Sequence, residues 1–386
     1  DQAQDRLATL EEEESTAPEA KAPAAVQQQT QQQRTGDLPQ HHVAVGQFLH
    51  KGTKNTQEDA VRIEKNLNGL IQHIAQAQSL DISHLDMSLP RTFVALLDGH
   101  AGDACMKFVR TKILPILCVE YIRNPADWCK AMERTILSLE AKWAKKVCKG
   151  NLAADCSGTT LTTCVMEGAQ LHCAWTGDSP CWIQKKDGTT VQVSSQHRPG
   201  IESEKSRIER AGGEVRAKVI EIGGLWCLKP TRKEGPLRVF PSGLNISRSI
   251  GDIQCKNPRF GGQAGVVIAD PETVTVDLEE DFQFLVLSSD GLSDNLNPGP
   301  EELSKHLLKG FEAAFHAVRE EREEPQPGQR KMDLVADLVA ERCVYHAMRK
   351  NKKSKYQDNT SALVCCLLDN IKTFDDLDAP GAARTA

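Results

Sequence analysis

Residues 158–195, GTTLTTCVMEGAQLHCAWTGDSPCWIQKKDGTTVQVSS, decide the fold class of this chain. Short runs of strand-forming residues alternate with turn sequences, EGAQ at 167–170, GDSP at 177–180 and DG at 187–188. Turns of this length and composition connect neighbouring antiparallel strands. The stretch therefore predicts an antiparallel meander of short strands.

The same two kinds of pattern continue on both sides of the meander. Strand-like runs lie at 43–49, 92–97, 282–287 and 361–368. Apolar residues at helical spacing lie at 105–117, 128–147, 303–318 and 334–348, with a shorter helix at 203–211. Hairpin-linked strands combined with paired long helices predict an α+β fold, with antiparallel sheets packed between helical layers.

The two ends of the chain differ from the rest in composition. Residues 1–42 are rich in Glu, Ala and Gln and poor in large apolar side chains, which predicts a disordered tail. We expect one domain over 43–370 and a second loose tail over 371–386. Residue 1 is Asp rather than Met, so a preceding segment or targeting signal stays open.

Charge and hydropathy exclude two classes of protein. Lys and Arg number 47 against 53 Asp and Glu, for a formal charge of −6 without a dense basic block, so we expect no nucleic-acid partner. The longest nearly apolar stretch, 113–119, is much shorter than the ~20 residues of a membrane span.

Thirteen cysteines occur without a CxxC pair or zinc-type spacing. Several lie in apolar strands, where cysteine usually behaves as a small buried hydrophobe. This usage predicts a reducing location, the cytoplasm or nucleus.

Carboxylates mark the ends of several apolar strands. Asp98 and Asp290 follow such runs, while Asp358 and the pair Glu58-Asp59 precede them. Acids at strand ends are compatible with a buried sheet if they converge on a cation, and oxygen ligands without His or Cys favour Mg²⁺ or Mn²⁺. Taken singly, each acid is better explained as a turn residue or helix cap.

The acids belong to eight segments that occur in a recognisable order. The segments are KNTQEDA at 54–60, DGHAG at 98–102, SGTT at 157–160, TGDS at 176–179, HRP at 197–199 leading to RIERAGG at 207–213, GLNISRSIGD at 243–252, SDGLSD at 289–294 and DNTS at 358–361. Together they resemble the PPM family, the metal-dependent serine/threonine phosphatases of type 2C. The resemblance covers about residues 43–370.

The resemblance implies a central antiparallel β-sandwich flanked by pairs of α-helices, and a centre of two Mg²⁺ or Mn²⁺ ions with a weaker third. It implies that the two main ions are bound by four acids, Glu58, Asp98, Asp290 and Asp358. The carboxylate of Asp98 would bridge both ions, and Gly99 would add its backbone carbonyl as a ligand. Asp59 matches an acid that holds metal-bound water, and Asp178 and Asp294 match acids of the third ion. His100 matches the proposed general acid. Phosphoproteins are the implied substrates, and we expect a monomer.

Four departures from the family pattern limit the expectation of activity. Lys54 stands where an Arg usually clamps the substrate phosphate, and Lys lacks the bidentate fork. Ala101 replaces a usual Gly, which strains the loop if that position needs a positive φ. Pro180 and the pair Leu292-Ser293 also differ from common residues. A pseudophosphatase that serves as a binding or scaffolding module is therefore the alternative function.

The sequence is compatible with two roles for His100 and with two roles for the segment 214–241. His100 is either a catalytic acid or a cap for neighbouring backbone groups. The segment 214–241 lies where the family carries a flap, so it either selects substrate or packs onto the domain through Trp226 and Leu228.

Overall fold

The computed structural model describes residues 43–125, 127–149, 155–222, 231–296, 299–352, 356–371 and 377, without the side chains of 218–222 and 231–233. The predicted tail 1–42 and most of the predicted tail 371–386 lie outside these residues. The domain limits therefore stay predictions.

Two antiparallel sheets form the centre of the molecule. The first has the spatial order β1 (Val43–His50), β14 (Thr360–Leu367), β13 (Phe282–Ser288), β7 (Cys181–Lys185) and β8 (Thr190–Gln192). The second has the order β11 (Ile250–Gly251), β4 (Gly158–Thr159), β3 (Arg91–His100), β5 (Leu161–Glu167), β6 (Gln170–Thr176) and β12 (Glu272–Asp277), with β2 (Asp59–Glu64) paired to β3. A separate hairpin joins β9 (Glu214–Ile222) to β10 (Thr231–Phe240).

Helices cover the outer faces of both sheets. The helices in chain order are α1 (Leu67–Gln78), α2 (Ala104–Arg123), α3 (Trp128–Lys149), α4 (Glu202–Arg210), α5 (Ile253–Lys256), α6 (Asp290–Ser293), α7 (Ser304–Arg319) and α8 (Lys331–Lys350). The helices α1, α2 and α3 share one apolar core with the second sheet, and α7 and α8 share another with the first sheet. The layers therefore run helix, sheet, sheet, helix.

Strand β3 shows why its sequence is apolar without alternation. Val94 and Leu96 point into the core between the two sheets, while Phe93, Ala95 and Leu97 belong to the core beneath the helices. Because successive side chains of a strand point to opposite faces, a strand covered on both faces needs apolar residues at every position. Each large side chain buried in this way contributes roughly 1.5–3 kcal/mol of transfer free energy.

The structure confirms the predicted β-sandwich between helical layers. The predicted continuous meander over 158–195 is wrong in one respect: β5 pairs with β6 and β7 pairs with β8, but β6 and β7 lie in different sheets. The turn at 177–180 carries the chain from the second sheet to the first, because both faces of the sandwich core need apolar strands. Two further details differ from the sequence interpretation. Strand β3 continues to His100, so Asp98, Gly99 and His100 belong to the strand's last residues rather than to a turn. The flap segment forms a twisted hairpin, β9 and β10, and its tip at 223–230, with Trp226 and Leu228, lies outside the described residues. None of the described helices combines the length and apolarity needed to span a membrane.

Candidate metal centre

Strand pairing brings the first two acids together. Asp59 at the start of β2 lies directly opposite Asp98 near the end of β3. The main chain of Asp98 is fixed by Thr160, whose N–H donates to the Asp98 carbonyl at 2.9 Å. The antiparallel register therefore places two carboxylates side by side at one edge of the sandwich.

Gly99 allows Glu58 to join this pair. A Cβ on Gly99 would lie 2.6 Å from the carbonyl oxygen of Glu58, closer than real side chains approach. The N–H of Gly99 instead donates to that oxygen at 3.2 Å. The Glu58 side chain accepts a hydrogen bond from the N–H of Gly102 at 2.9 Å, which holds it beside the end of β3.

Asn359 joins the N-terminal loop to the segment before β14. Its Oδ1 accepts from the N–H of Glu58 at 2.9 Å, and its Nδ2 donates to the carbonyls of Lys51 and Thr56. This contact brings Asp358 to the acids of β2 and β3. Asn359 was quoted only as part of a motif, and its positioning role was missed because the contact spans about three hundred residues.

Lys54 lies between two of the predicted metal acids. Its Nζ is 3.6 Å from Oε2 of Glu58 and forms an ion pair with Asp358. Burial lowers the pKa of Lys54, but the hydrogen bond and charge of Asp358 and the charges of Asp98 and Glu58 outweigh it, so the pKa is raised. The ammonium partly neutralises the acidic cluster from its solvent side.

Asp290 completes the cluster from the first sheet. It begins α6 directly after β13, and its N–H donates to Oδ2 of Asp98 at 3.4 Å. Burial, followed by the charges of Asp178 and Asp358, raises the pKa of Asp290 to about 8. Burial and the charges of Asp59 and Asp290 also raise the pKa of Asp98 well above its ordinary range. Asp98 and Asp290 therefore lack enough nearby positive charge to stabilise their ionised forms.

The donor set fits a hard divalent cation. One oxygen of Asp59 accepts from Ser361 Oγ at 2.6 Å, while its other oxygen is buried and has no hydrogen-bond partner. The surrounding acids offer carboxylate oxygens only, the ligands that Mg²⁺ and Mn²⁺ prefer. Among the described residues, no three of these carboxylates have oxygens within 4.8 Å of one another. This spacing leaves room for water in the coordination shell of an ion, as Mg²⁺ commonly retains.

The two acids predicted for a third ion share an arginine. Arg198 donates through Nε to Asp178 at 3.0 Å and through Nη2 to Asp294 at 2.7 Å. Burial, offset in part by Arg198, raises the pKa of Asp178. Arg198 belongs to the HRP motif, but nothing in the spacing of that motif indicates that its side chain bridges these two acids.

His100 is paired with an acid that the sequence interpretation did not select. Its Nε2 lies 2.8 Å from Oδ2 of Asp252, which also accepts from Ser249 Oγ at 2.6 Å. A Cβ on Gly158 would lie 2.2 Å from Oδ2 of Asp252 and 2.5 Å from Nε2 of His100, so glycine is required there. Burial lowers the pKa of His100, but the charge and hydrogen bond of Asp252 raise it above its ordinary value.

The main chain of Asp252 has an unusual conformation. Its φ is +51°, in the left-handed region that non-glycine residues seldom adopt. The motif GLNISRSIGD contained this residue, but its partner is 152 positions away in the chain. Sequence spacing alone does not reveal such a contact.

Ala101 occupies a position that favours glycine. Its φ is +55°, and Gly102 follows with a φ of +115°. This left-handed turn aims the N–H of Gly102 at Glu58. Ala101 therefore has the positive φ that strains a residue other than glycine, and this conformation costs roughly 1–2 kcal/mol.

The two remaining departures lie in buried surroundings. The carbonyl of Pro180 accepts from the N–H of Ser288, and the preceding Ser179 hydrogen-bonds Thr160 at 2.7 Å. Leu292 is fully buried beneath α7 and α8, whereas the hydroxyl of Ser293 is buried without a partner. Neither substitution removes a carboxylate from the cluster.

Comparison with known proteins defines the family. The sequence profile described as Protein phosphatase 2C matches residues 54–300, more than half of the chain. This chain therefore belongs to the protein phosphatase 2C family.

Individual proteins of the family are similar to this chain at moderate sequence identity. The chain is 33% identical over 165 residues to "Probable protein phosphatase 2C 20" of Oryza sativa subsp. japonica, covering 42% of this chain and 31% of that protein. It is 27% identical over 270 residues to "Protein phosphatase 1L" of Bos taurus, covering 68% of this chain and 62% of that protein. The matches thus span less than two thirds of either relative's length.

A solved structure has the same fold. The serine-threonine phosphatase 2C of Toxoplasma gondii superimposes with a TM-score of 0.55 at 17% identity, covering 86% of this chain and 96% of that one. At this identity the likeness concerns the fold, which agrees with the observed sandwich.

Proposed function

We propose that this chain is a Mg²⁺- or Mn²⁺-dependent phosphatase that hydrolyses phosphoserine and phosphothreonine in proteins. The observation that carries the proposal is the convergence of Glu58, Asp98, Asp290 and Asp358 at one edge of the sandwich, within a chain of the protein phosphatase 2C family. Within this cluster the pKa values of Asp98 and Asp290 are raised by burial and by neighbouring acids, so a cation is needed to stabilise their charged forms.

The residues that would hold the ions follow from this cluster. Glu58, Asp98, Asp290 and Asp358 are the proposed direct ligands, with the carbonyl of Gly99, while Asp59 orients water through its unpartnered oxygen. Asp178 and Asp294 would serve a weaker third ion. Divalent ions bound here would supply an activated water and neutralise charge on the phosphoryl oxygens.

Lys54 is the proposed phosphate-binding residue. Its side chain is 34% exposed, and its ammonium contacts Glu58 and the half-exposed Asp358. It can therefore turn toward a phosphate dianion that approaches the centre. A lysine binds phosphate as a point charge rather than through a planar fork.

His100 is the proposed general acid. Asp252 engages its Nε2, which leaves Nδ1 free to donate a proton to the serine or threonine oxygen as the P–O ester bond breaks. Asp252 stabilises the protonated imidazole and fixes the orientation of the ring. The pairing favours a catalytic role over the alternative, in which His100 caps backbone groups.

Retention of all the acids supports activity over the alternative of a pseudophosphatase that only binds partners. Phosphoproteins are the proposed substrates, and a monomer suffices because the proposed site residues come from one chain. The strained Ala101 and the replacement by Lys54 lie beside the ligands and replace none of them.

The test is an assay of the full chain on a phosphothreonine peptide and on para-nitrophenyl phosphate, with Mn²⁺ and with excess EDTA. We expect turnover only with the metal, and a loss of at least ~10³-fold in Asp98→Asn, since charge stabilisation by metals amounts to several kcal/mol. The matched control is Asp277→Asn, an exposed acid on β12 whose side chain accepts from Gln170. Full turnover in EDTA or in Asp98→Asn would refute the proposal, and a folded parent without turnover on either substrate would favour the pseudophosphatase.

A further inference from the structure

Three cysteines meet in the core between the two sheets. Cys164 on β5 and Cys173 on β6 are direct cross-strand neighbours, and Cys181 on β7 reaches them from the opposite sheet. The sulfurs of Cys164 and Cys181 are 3.9 Å apart, and all three sulfurs lie within 4.8 Å of one another. Across the described part of the chain, no other three His, Cys, Asp or Glu residues bring their ligand atoms so close.

The surroundings of this thiol cluster select the kind of ion it can hold. All three cysteines are 0% exposed, and they share the core with apolar residues such as Val94, Ile183 and Leu285. A hydrated hard cation finds neither oxygen ligands nor space for its waters in such a core. Sulfur ligands instead select soft cations such as Cu(I).

The sulfur spacing agrees with a coordinated ion. Three sulfurs placed in one plane at about 2.3 Å from a central ion lie about 4 Å from one another. The observed separation of 3.9 Å between Cys164 and Cys181 already has this value. We propose that Cys164, Cys173 and Cys181 form a three-coordinate binding site for Cu(I), independent of the phosphatase centre.

Coordination number distinguishes Cu(I) from zinc at this cluster. A structural zinc ion takes four ligands in a tetrahedral arrangement. Among the described residues, no fourth His, Cys, Asp or Glu offers a ligand atom within 4.8 Å of all three sulfurs. Binding of an ion would release the protons of the ligating thiols to solvent, because the thiolate is the metal-binding form.

An ion at this position would join β5 and β6 of one sheet to β7 of the other. Because it binds only the folded arrangement of the three strands, it would raise the stability of the fold. Cys181 also lies three residues after Asp178, at the foot of the turn that carries that acid. The proposed ion would therefore connect the two sheets of the sandwich.

The test begins with a variant of the full chain in which the more accessible or undescribed thiols are removed: Cys129→Ser, Cys148→Ser, Cys156→Ser and Cys227→Ser. The reduced protein is loaded anaerobically with Cu(I), both when folded and during refolding, and then washed with a Cu(I) chelator. We expect one copper per chain to be retained in at least one preparation and the melting temperature to rise. A protein that gives up all its copper in both preparations refutes the site.

Single substitutions locate the ion. Cys173→Ala and Cys181→Ala should each lose the retained copper, whereas Cys343→Ala should keep it, since Cys343 is an equally buried cysteine on α8. Equal retention in the cluster variants and the control contradicts the assignment. X-ray absorption of the loaded starting variant gives a reading that needs no cluster substitution. Three sulfurs at about 2.3 Å support the site, and nitrogen or oxygen ligands overturn it.

Discussion

Two pairs of acids at the candidate centre are each joined by one basic side chain, yet the two arrangements differ. Lys54 contacts Glu58 and Asp358, while Arg198 contacts Asp178 and Asp294. The more exposed acid is alike in the two groups, Asp358 at 47% and Asp294 at 48%, whereas the more buried acid is 14% exposed in the first group (Glu58) and 2% exposed in the second (Asp178). We refer to them as the lysine cluster and the arginine cluster.

The difference indicates separate tasks for the two clusters. A single ammonium on a flexible stem, paired with an exposed acid, can leave the carboxylates and bind a phosphate group. A guanidinium can bind two acids through different nitrogens. When one of those acids is buried, the contact is part of the folded structure, because breaking it would leave the acid buried without a partner. The lysine cluster should therefore govern substrate affinity, and the arginine cluster should govern stability.

Apart from the proposed metal ligands, the largest effect is expected at His100, which belongs to neither cluster. His100→Ala should slow hydrolysis of a phosphoserine peptide by about 10²–10⁴-fold, because general acid catalysis contributes this much when the leaving oxygen needs a proton. Hydrolysis of para-nitrophenyl phosphate should fall far less, since nitrophenolate leaves without protonation. Asp252→Asn should show the same substrate contrast in milder form. Equal losses of kcat on both substrates would assign the pair a structural role.

Glu204 provides a reference for acids that arginines hold for stability alone. It is buried, and it accepts from Arg207, Arg248 and Ser247. Burial raises the pKa of Glu204, but the hydrogen bonds of these partners outweigh it and lower the pKa to about 2. Because the folded-state pKa is lowered, the stabilisation is present above the unfolded-state pKa of about 4.3 and is lost as the pH falls toward 2.

Glu204→Gln should therefore lower the free energy of unfolding at pH 7 by about 3 kcal/mol, at 1.36 kcal/mol per pKa unit. The deficit should shrink when the same denaturant titrations are repeated near pH 3. A deficit that does not change with pH would show that Glu204 contributes through packing rather than through its charge.

The tasks of the two clusters can be distinguished by replacing the basic residue of each. Lys54→Ala should raise KM for a phosphopeptide by about 10- to 100-fold, from the ~1.5–3 kcal/mol of a hydrogen bond to a charged group, with little change in stability. Lys54→Arg should keep or improve the affinity. Arg198→Ala should instead lower the free energy of unfolding by about 2 kcal/mol, because it leaves Asp178 buried without its partner.

Both quantities should be measured for each of these variants. A Lys54→Ala protein with an unchanged KM would end the substrate role of this residue. An Arg198→Ala protein as stable as the parent would remove the distinction between the clusters.

The sequence predicted the fold and the acids better than the contacts between them. Strand periodicity and turn residues predicted antiparallel sheets between helical layers, because β3, β5 and β6 are buried on both faces and their apolar runs are a local property of the chain. The sandwich itself was implied by the family resemblance. The pairing of His100 with Asp252 and the bridging by Arg198 depend on side chains from distant elements. The cysteine cluster escaped notice because Cys164, Cys173 and Cys181 each resemble an ordinary core residue when taken alone.

The smallest effect is expected at Ala101, beside the lysine cluster. Ala101→Gly should raise the free energy of unfolding by on the order of 0.5 kcal/mol, because relief of the left-handed strain exceeds the entropy that glycine adds to the unfolded chain. Ser79→Gly is the matched control, since Ser79 has a φ of 54° at the end of α1, away from the acids. A destabilised Ala101→Gly protein beside a stabilised Ser79→Gly protein would show that the methyl group of Ala101 makes favourable contacts.

The measurement that tests the central claim most directly is a count of bound Mn²⁺ on the full chain. Electron paramagnetic resonance of the free ion, recorded during a titration at neutral pH, gives this number without requiring turnover. The account predicts two saturable ions on the parent and a loss of binding in Asp98→Asn, with Asp277→Asn unchanged. No saturable binding, or identical binding in Asp98→Asn, would contradict the assignment of these acids as a metal centre.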